Sequence, residues 1–238
     1  MIININFNKG KQLSGRVYPE FFAINKEDTV LNVGCGDGVQ AVIYGGNYKK
    51  MVGVDLNTDR LNMSKSIKEY FPFETICANV EAIPLTDTFD KIIAIDIVEH
   101  VQNPQKMLGE VYRLLKDGGQ LLITFPTMHD RWENFFRFVG RKILRRKGKT
   151  IITKEWNPDA HASDFKLKKW FELMNNGGFE LIKYRASSMF PPLHYLGIPK
   201  FWFSNNIIHT IDKFICEQPV FRDYGQAAVC VFKKKNYD

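Results

Sequence analysis

Residues 30–40 read Val30-Leu-Asn-Val-Gly-Cys-Gly-Asp-Gly-Val-Gln40, and the architecture of the whole chain follows from them. The first four are mostly apolar, which predicts a strand buried in a parallel sheet. Three alternating glycines then crowd a turn, where the lack of side chains lets the backbone approach a ligand closely. A second short apolar strand, 51–55, ends in Asp55. A glycine-rich turn between a strand and a helix, with an acidic residue closing the next strand, is typical of nucleotide-binding α/β folds.

Strands and helices are predicted to alternate through the rest of the chain. Apolar runs of strand length occur over 73–78, 89–96, 120–125, 179–185 and 227–233. Helices are predicted over 16–24, 39–44, 58–70, 107–115 and 167–174. This alternation predicts an α/β fold with a Rossmann-like, seven-stranded, mostly parallel sheet, helices on both faces and an antiparallel last strand.

Two longer segments interrupt the alternation. Residues 127–162 follow the fifth predicted strand, and residues 186–220 separate the sixth from the seventh. Both would emerge at the carboxyl edge of the sheet, where open α/β sheets bind their ligands. We therefore predict a single domain over 1–238, with its specificity residing in these two insertions.

The composition is that of an ordinary globular protein, with 238 residues, 45% apolar and 25% charged. The four cysteines form no Cys-x-x-Cys pair, so we predict reduced thiols in a cytoplasmic protein. The sequence has no signal-peptide pattern at its start and no uncharged apolar run of about 18 residues. These features argue against a disulfide-stabilised secreted protein and against a chain that spans a membrane.

The positive charge is concentrated in one segment. Residues 131–149 carry eight basic side chains and one acidic one. The net charge of this segment, +7, equals that of the whole chain. Drawn as a helix, the segment places Trp132, Phe136 and Val139 on one face and Arg137 and Arg141 on the opposite face. A basic face beside an aromatic face predicts a helix lying on an anionic membrane surface. A helix packed on the sheet edge, and a contact with RNA, remain open as alternatives.

The glycine spacing resembles motif I of the class I S-adenosylmethionine-dependent methyltransferases. Position 39 is Val, so the third glycine or alanine of a dinucleotide-binding turn is missing. The resemblance continues through Leu85 and Phe89-Asp90 to Leu114-Leu-Lys-Asp-Gly-Gly119, and so covers about residues 30–125. It implies S-adenosylmethionine as the cofactor and S-adenosylhomocysteine as the product.

The resemblance also implies roles for individual residues. Asp55 would bind the ribose hydroxyls and Asn79 the adenine amine. Arg16 and Tyr18 would reach the methionine carboxylate, with a helix that only packs on the sheet edge as the alternative for their segment. Further cofactor contacts are implied for Asn32, Gly34, Cys35, Gly36, Leu56, Val80 and Asp96. The family usually has an acidic residue at position 32 and often one at 79. Asparagine keeps an oxygen acceptor but loses the charge, which leaves a non-catalytic cofactor-binding protein as an alternative.

The reacting groups are predicted in Asp96-Ile-Val-Glu99-His100, after the fourth strand. On a helical turn the three polar side chains would share one face. The pattern resembles the Glu-x-x-Glu-His metal motif of ubiquinone-biosynthesis O-methyltransferases and small-RNA 2′-O-methyltransferases. We predict His100 and Asp96 as catalytic residues and assign no metal site, although carboxylates at this spacing suit Mg²⁺.

The expected function is methylation of an oxygen on an apolar or lipid-linked small molecule. An RNA or tRNA methyltransferase and a non-catalytic S-adenosylmethionine-binding protein are the alternatives. We expect a cytoplasmic protein that could associate with the inner face of a membrane through 131–149. The sequence predicts no oligomeric state.

Overall fold

The computed structural model describes residues 18–127, 138–139, 162–163, 165–188, 206–223, 225 and 227–235. The strands are β1 (Thr29–Val33), β2 (Lys50–Asp55), β3 (Phe73–Cys77), β4 (Phe89–Ala94), β5 (Leu115–Pro126), β6 (Phe179–Ala186) and β7 (Ala227–Lys234). The helices are α1 (Val39–Ile43), α2 (Thr58–Ser64), α3 (Pro104–Leu114), α4 (Leu167–Asn176) and α5 (Asn206–Glu217). A 3₁₀ turn, Lys65–Glu69, continues α2.

The seven strands form one sheet in the order β3-β2-β1-β4-β5-β7-β6. The first five pair in parallel, and β7 runs antiparallel to both of its neighbours. The predicted seven-stranded, mostly parallel sheet with an antiparallel last strand is therefore confirmed. Strand order reverses between β1 and β4, and ligands of open α/β sheets bind at such a reversal, beyond the carboxyl ends of the strands.

Alternating strand side chains form two buried clusters, one on each face of the sheet. On one face, Leu31 and Ile92 pack with Met107 of α3 and Trp170 of α4. The other face packs with α1 and with the segment that precedes β1, and its members include Val30, Ile93, Ala41, Tyr18 and Phe22. The sheet is therefore covered on both sides, which explains its nearly continuous apolar strands.

Capping residues set the ends of two helices. Asn103 accepts a hydrogen bond from the Lys106 N–H, and Pro104 opens α3 where its missing N–H costs nothing. The structure starts α3 at Pro104, three residues before the predicted start. Asn57 caps α2 by accepting from the Arg60 N–H.

Two predicted helical segments differ from the structure. The predicted helix over 16–24 is a turn in its described part, where the Tyr18 carbonyl accepts from the N–H groups of Phe21 and Phe22. The segment from Asp96 to His100, predicted as a helical turn, contains no helix.

Apart from 138–139, the amphipathic segment 131–149 lies outside the described residues. No helix within the described ranges is long and apolar enough to cross a bilayer.

Candidate cofactor and catalytic site

The glycine turn after β1 depends on left-handed backbone conformations. The φ angles of Gly34 and Gly36 are 71° and 53°, a region that side chains disfavour. The Gly34 N–H donates to the Val54 carbonyl at 2.8 Å, which ties the turn to β2. A Cβ added at Gly34 would lie 2.8 Å from Cγ1 of Ile97, so the turn also packs closely against the segment after β4. The turn thus lies at the reversal of strand order, between the ends of β1 and β4.

Asp55 faces this turn from the end of β2. Its Oδ2 accepts a hydrogen bond from the Gly36 N–H at 2.8 Å, and its Oδ1 accepts from the Asn57 N–H at 2.8 Å. Each carboxylate oxygen can accept more than one hydrogen bond. The carboxylate is therefore held in place by the backbone and can still accept from a pair of ligand hydroxyls.

Asn32 lies at the carboxyl end of β1 with only 2% of its surface exposed. Its Nδ2 has no hydrogen-bond partner among the described residues. A buried donor without a partner costs free energy, and a bound acceptor would recover it. The crevice therefore combines a turn free of side chains, an oriented carboxylate and a buried amide donor, which fits the cofactor implied by the resemblance.

Cys35 contributes packing rather than chemistry. Burial, aided by the negative charge of Asp55, raises the pKa of the Cys35 thiol to about 12. The thiolate is the nucleophilic form, so this group is inert at neutral pH. A Cβ added at Gly53 would lie 2.6 Å from Cys35 Sγ, so the glycine of β2 provides the space for the thiol.

The predicted adenine-side residues lie beyond β2 and β3. Asn79 is exposed, and its Oδ1 accepts from the Glu81 N–H at 2.9 Å, which forms a tight turn. Val80 is buried in the core, whereas Leu56 is 63% exposed. Glu81 anchors the turn because its Oε1 accepts from the N–H groups of Gln102 and Asn103. Leu56 and Asn79 are thus accessible to a ligand at this edge.

Asp96 follows the end of β4 in an unusual conformation. Its φ angle is 48°, the only positive value for a non-glycine residue among those described. Its N–H donates to Thr124 Oγ1 at 2.8 Å, and Thr124 Oγ1 donates to Asp96 Oδ1 at 3.0 Å. Glu99 is buried and His100 is half-buried. The prediction that all three share one helical face is wrong, because the Asp96 conformation does not continue a helix.

The first insertion returns to this same segment. The N–H groups of Ala162 and Ser163 both donate to the Glu99 carbonyl, at 2.8 and 3.1 Å. The segment carrying His100 is therefore anchored by backbone hydrogen bonds from residues 162 and 163. Within the described part of the chain, His, Cys, Asp and Glu form no group of three or more that could hold a metal ion.

Arg16 lies outside the described residues, but Tyr18 is buried beside Arg185 of β6. Thr124 and Glu81, which orient the segments around the crevice, were not singled out from the sequence. Glu81 had a weak signal because it lies between Val80 and Leu85, which the family resemblance includes. Thr124 had none, because its role depends on a contact with a residue 28 positions away.

Comparisons with known proteins agree with this geometry. Residues 31–123 match the family model described as a methyltransferase domain. The ubiquinone biosynthesis O-methyltransferase of Rhodopseudomonas palustris (strain HaA2) is 26% identical over 120 residues, which are 49% of this chain and 47% of that protein. The mitochondrial ubiquinone biosynthesis O-methyltransferase of Candida albicans is 32% identical over 127 residues, 49% of this chain and 38% of that protein. The chain spans about half, or less, of the length of these curated relatives.

The similarity of fold to known methyltransferases extends beyond residues 31–123. A solved S-adenosylmethionine-dependent methyltransferase from Methanosarcina mazei superposes with a TM-score of 0.63 at 17% identity, covering 93% of this chain and 100% of that one. At this identity the superposition shows a shared fold. The range matched by the family model includes the glycine turn, Asp55 and Asp96. Residues 31–123 thus match a methyltransferase domain, and the chain shares the fold of solved S-adenosylmethionine-dependent methyltransferases, which supports S-adenosylmethionine as its cofactor.

Proposed function

We propose that this chain is an active methyltransferase that transfers a methyl group to an oxygen of an apolar or lipid-linked small molecule. The observation that carries the proposal is the crevice between β1 and β4, where the glycine turn, Asp55 and Asn32 converge beside the Asp96 segment. Bound S-adenosylmethionine supplies a methyl group activated on a sulfonium.

The protein's own contribution is to align the acceptor and to remove its proton. Alignment of the two reacting groups supplies much of the acceleration in a displacement reaction. A hydroxyl acceptor becomes a better nucleophile when a base accepts its proton. His100 is the candidate base because its half-buried side chain lies in the segment held by Thr124 and by the returning first insertion. Asp96, in the same segment, would contact the cofactor.

Two observations support the proposed class of acceptor. They are the exposed apolar side chains in and just after the second insertion, and the names of the curated relatives. Ile211 and Phe214, three residues apart on α5, are 49% and 65% exposed. Val220 and Phe221, just after the helix, are 73% and 43% exposed. Large exposed apolar side chains often mark contact sites. The curated relatives are named for ubiquinone biosynthesis, which supports an acceptor with an apolar tail.

Cofactor binding and transfer provide the first test. Calorimetry should detect S-adenosylmethionine binding, and labelled methyl should pass to a polyprenyl-tailed phenol faster than to the same phenol without a tail. His100→Gln should lower kcat by 100-fold or more, as expected for loss of a general base, while leaving the cofactor Kd nearly unchanged. If millimolar S-adenosylmethionine does not bind, the enzyme proposal fails. If only tail-free phenols react, the apolar-acceptor part is wrong.

Membrane association through 131–149 is the second part of the proposal. Each basic residue near an anionic surface contributes about 1 kcal/mol, and the aromatic face would enter the interface. Wild type should sediment with anionic vesicles and be released by salt, whereas Trp132→Glu combined with Phe136→Glu should remain in the supernatant. Met63→Glu, a charge at a 69% exposed apolar position on α2, is the matched control and should still sediment. Retention by bulk tRNA without vesicle binding would instead favour the RNA alternative.

A further inference from the structure

Thr124 makes two hydrogen bonds to a single residue at the site. It lies near the carboxyl end of β5, with 1% of its surface exposed. Its hydroxyl oxygen accepts from the Asp96 N–H at 2.8 Å and donates its proton to Asp96 Oδ1 at 3.0 Å. One buried hydroxyl thus fixes both the backbone and the carboxylate of Asp96.

The position of Thr124 in the sheet explains this pairing. The parallel register of β4 and β5 ends with Ala94 beside Ile123. Beyond that point, the Thr124 side chain binds the Asp96 N–H in place of a backbone carbonyl. Asp96 takes a φ of 48° there, a left-handed conformation that costs free energy for a residue with a side chain. The two hydrogen bonds compensate for that cost.

The conformation of Asp96 also determines where the next side chain lies. Ile97 packs directly on Gly34, since a Cβ at Gly34 would come within 2.8–3.0 Å of three Ile97 carbons. The side chain of Ile97 therefore supports the glycine turn. A change at Thr124 would be transmitted to the carboxylate of Asp96 and, through Ile97, to the turn that forms the crevice.

We infer that Thr124 is a positioning residue, which holds Asp96 and the glycine turn in the arrangement that binds the cofactor. The inference rests on the proposed function and goes beyond it, because it assigns a role to a residue outside the predicted cofactor-binding and catalytic residues. The Asp96 carboxylate and the glycine turn should both be less well ordered without the hydroxyl. The predicted consequence is weaker cofactor binding rather than a loss of stability alone.

The opposite end of the sheet offers a matched control. Thr29, at the start of β1, donates through its hydroxyl to Asp90 Oδ2 at 2.7 Å and accepts from the Asp90 N–H at 3.3 Å. The same pair of residue types, with the same reciprocal hydrogen bonds, is thus found at the edge away from the crevice. Thr29→Val removes the same kind of contact without approaching the cofactor site.

The experiment compares Thr124→Val, Thr124→Ser and Thr29→Val by calorimetry with S-adenosylmethionine and by thermal denaturation. Thr124→Val should weaken cofactor binding about tenfold, the scale of one or two lost hydrogen bonds, and Thr124→Ser should restore it to within about threefold of wild type. Thr29→Val should lower Tm with wild-type cofactor affinity. If Thr124→Val does not fold, Ile97→Ala provides the second variant, because it removes the contact with Gly34 and leaves the hydrogen bonds intact.

Four outcomes overturn the inference. They are wild-type affinity in Thr124→Val, equal weakening of binding in Thr29→Val, no recovery of binding in Thr124→Ser, and wild-type affinity in Ile97→Ala. A wild-type protein that does not bind S-adenosylmethionine overturns the proposed function itself, and that result is visible before any variant is measured.

Discussion

Asn32 places an uncharged amide where related enzymes usually carry an acid. Its Nδ2 is buried without a partner in the described part of the structure. A carboxylate there would be costly in the free protein, because a buried charge without a partner is poorly solvated. With the cofactor bound, the same carboxylate would interact favourably with the cofactor's ammonium group. The residue type at position 32 therefore determines how much a charge interaction with the cofactor's ammonium group contributes to the free energy of cofactor binding.

We predict that Asn32→Asp lowers Tm without ligand and tightens S-adenosylmethionine binding about tenfold. The cofactor-induced rise in Tm should consequently exceed that of wild type. Calorimetry and thermal denaturation with and without S-adenosylmethionine measure both effects. Asn62→Asp is the control, since Asn62 is exposed on α2 and lies outside the predicted cofactor contacts, so the same change there should alter Tm and affinity little. Unchanged affinity in Asn32→Asp would show that this position does not contact the charged end of the cofactor.

Residues near the crevice differ in how far the sequence predicted them. Gly34, Gly36 and Asp55 follow from a local pattern, because the turn and the next strand end are brought together by the parallel pairing of β1 and β2. Thr124 could not be found in this way, since its partner is distant in sequence. The conformation of Asp96 was missed for the same reason.

At the level of elements, α3 contains a glycine that its packing does not require. Gly109 is exposed, and a Cβ added there would meet no atom within 4 Å. Alanine loses less backbone entropy than glycine on entering a helix. We predict that Gly109→Ala raises the free energy of unfolding by about 0.5–1 kcal/mol, measured by urea denaturation, with unchanged cofactor binding. A decrease in stability would contradict the exposure of this position.

Asp90 joins the starts of β1, β4 and β5. Burial alone would raise the pKa of Asp90, but hydrogen bonds from Thr29 and Lys116 outweigh it and lower the pKa from 3.8 to about 2. The folded state therefore favours the charged carboxylate. The resulting stability is fully present above about pH 4 and is lost as the pH falls through about 2.

We predict that Asp90→Asn lowers the free energy of unfolding by about 1 kcal/mol at pH 7, because solvent screens part of the contribution of this partly exposed carboxylate. The difference between wild type and variant should shrink between about pH 4 and pH 2, because protonation removes the same charge from wild type. Urea denaturation at pH 7, 4, 3 and 2 measures it. A difference that stays constant over this range would mean that the charge of Asp90 does not contribute.

Element boundaries were predicted wrongly for two different reasons, an underweighted local signal at α3 and tertiary contacts before β1. The Asn103-Pro104 pair is a strong helix start, and the later start predicted for α3 came from giving the apolar pattern more weight than the cap. The segment before β1 was predicted as a helix from its apolar residues. In the structure its aromatic side chains pack on β6 and the sheet, and those tertiary contacts override the helical preference.

At the scale of the whole molecule, Arg185 connects three distant parts of the chain. Its guanidinium donates to Glu20 at 3.4 Å and to Glu217 at 3.1 Å, and it lies 4.9 Å from the Phe21 ring centroid. Only 7% of the side chain is exposed. One planar cation therefore holds together the segment before β1, the end of β6 and the end of α5. A lysine cannot reproduce this set of contacts, because its ammonium group is a single point of charge.

We predict that Arg185→Lys lowers the free energy of unfolding by about 1–3 kcal/mol, measured by urea denaturation. Lys183→Met is the control. Lys183 is an exposed cation 4.6 Å from the same Phe21 ring, and its loss should cost less than about 0.5 kcal/mol. Equal effects of the two substitutions would mean that the ring contact, and not the pair of carboxylates, carries the contribution of Arg185.

The place of β7 has a consequence for how the protein is made. It lies between β5 and β6 in the sheet, although the ribosome synthesises it after both. Until residues 227–234 leave the exit tunnel, the apolar strand β5 has no partner on one side and β6 has none from β7. An uncovered apolar strand edge can pair with another chain. The nascent chain therefore completes its sheet late, and chaperones that shield strand edges would have to act on β5 before translation reaches β7.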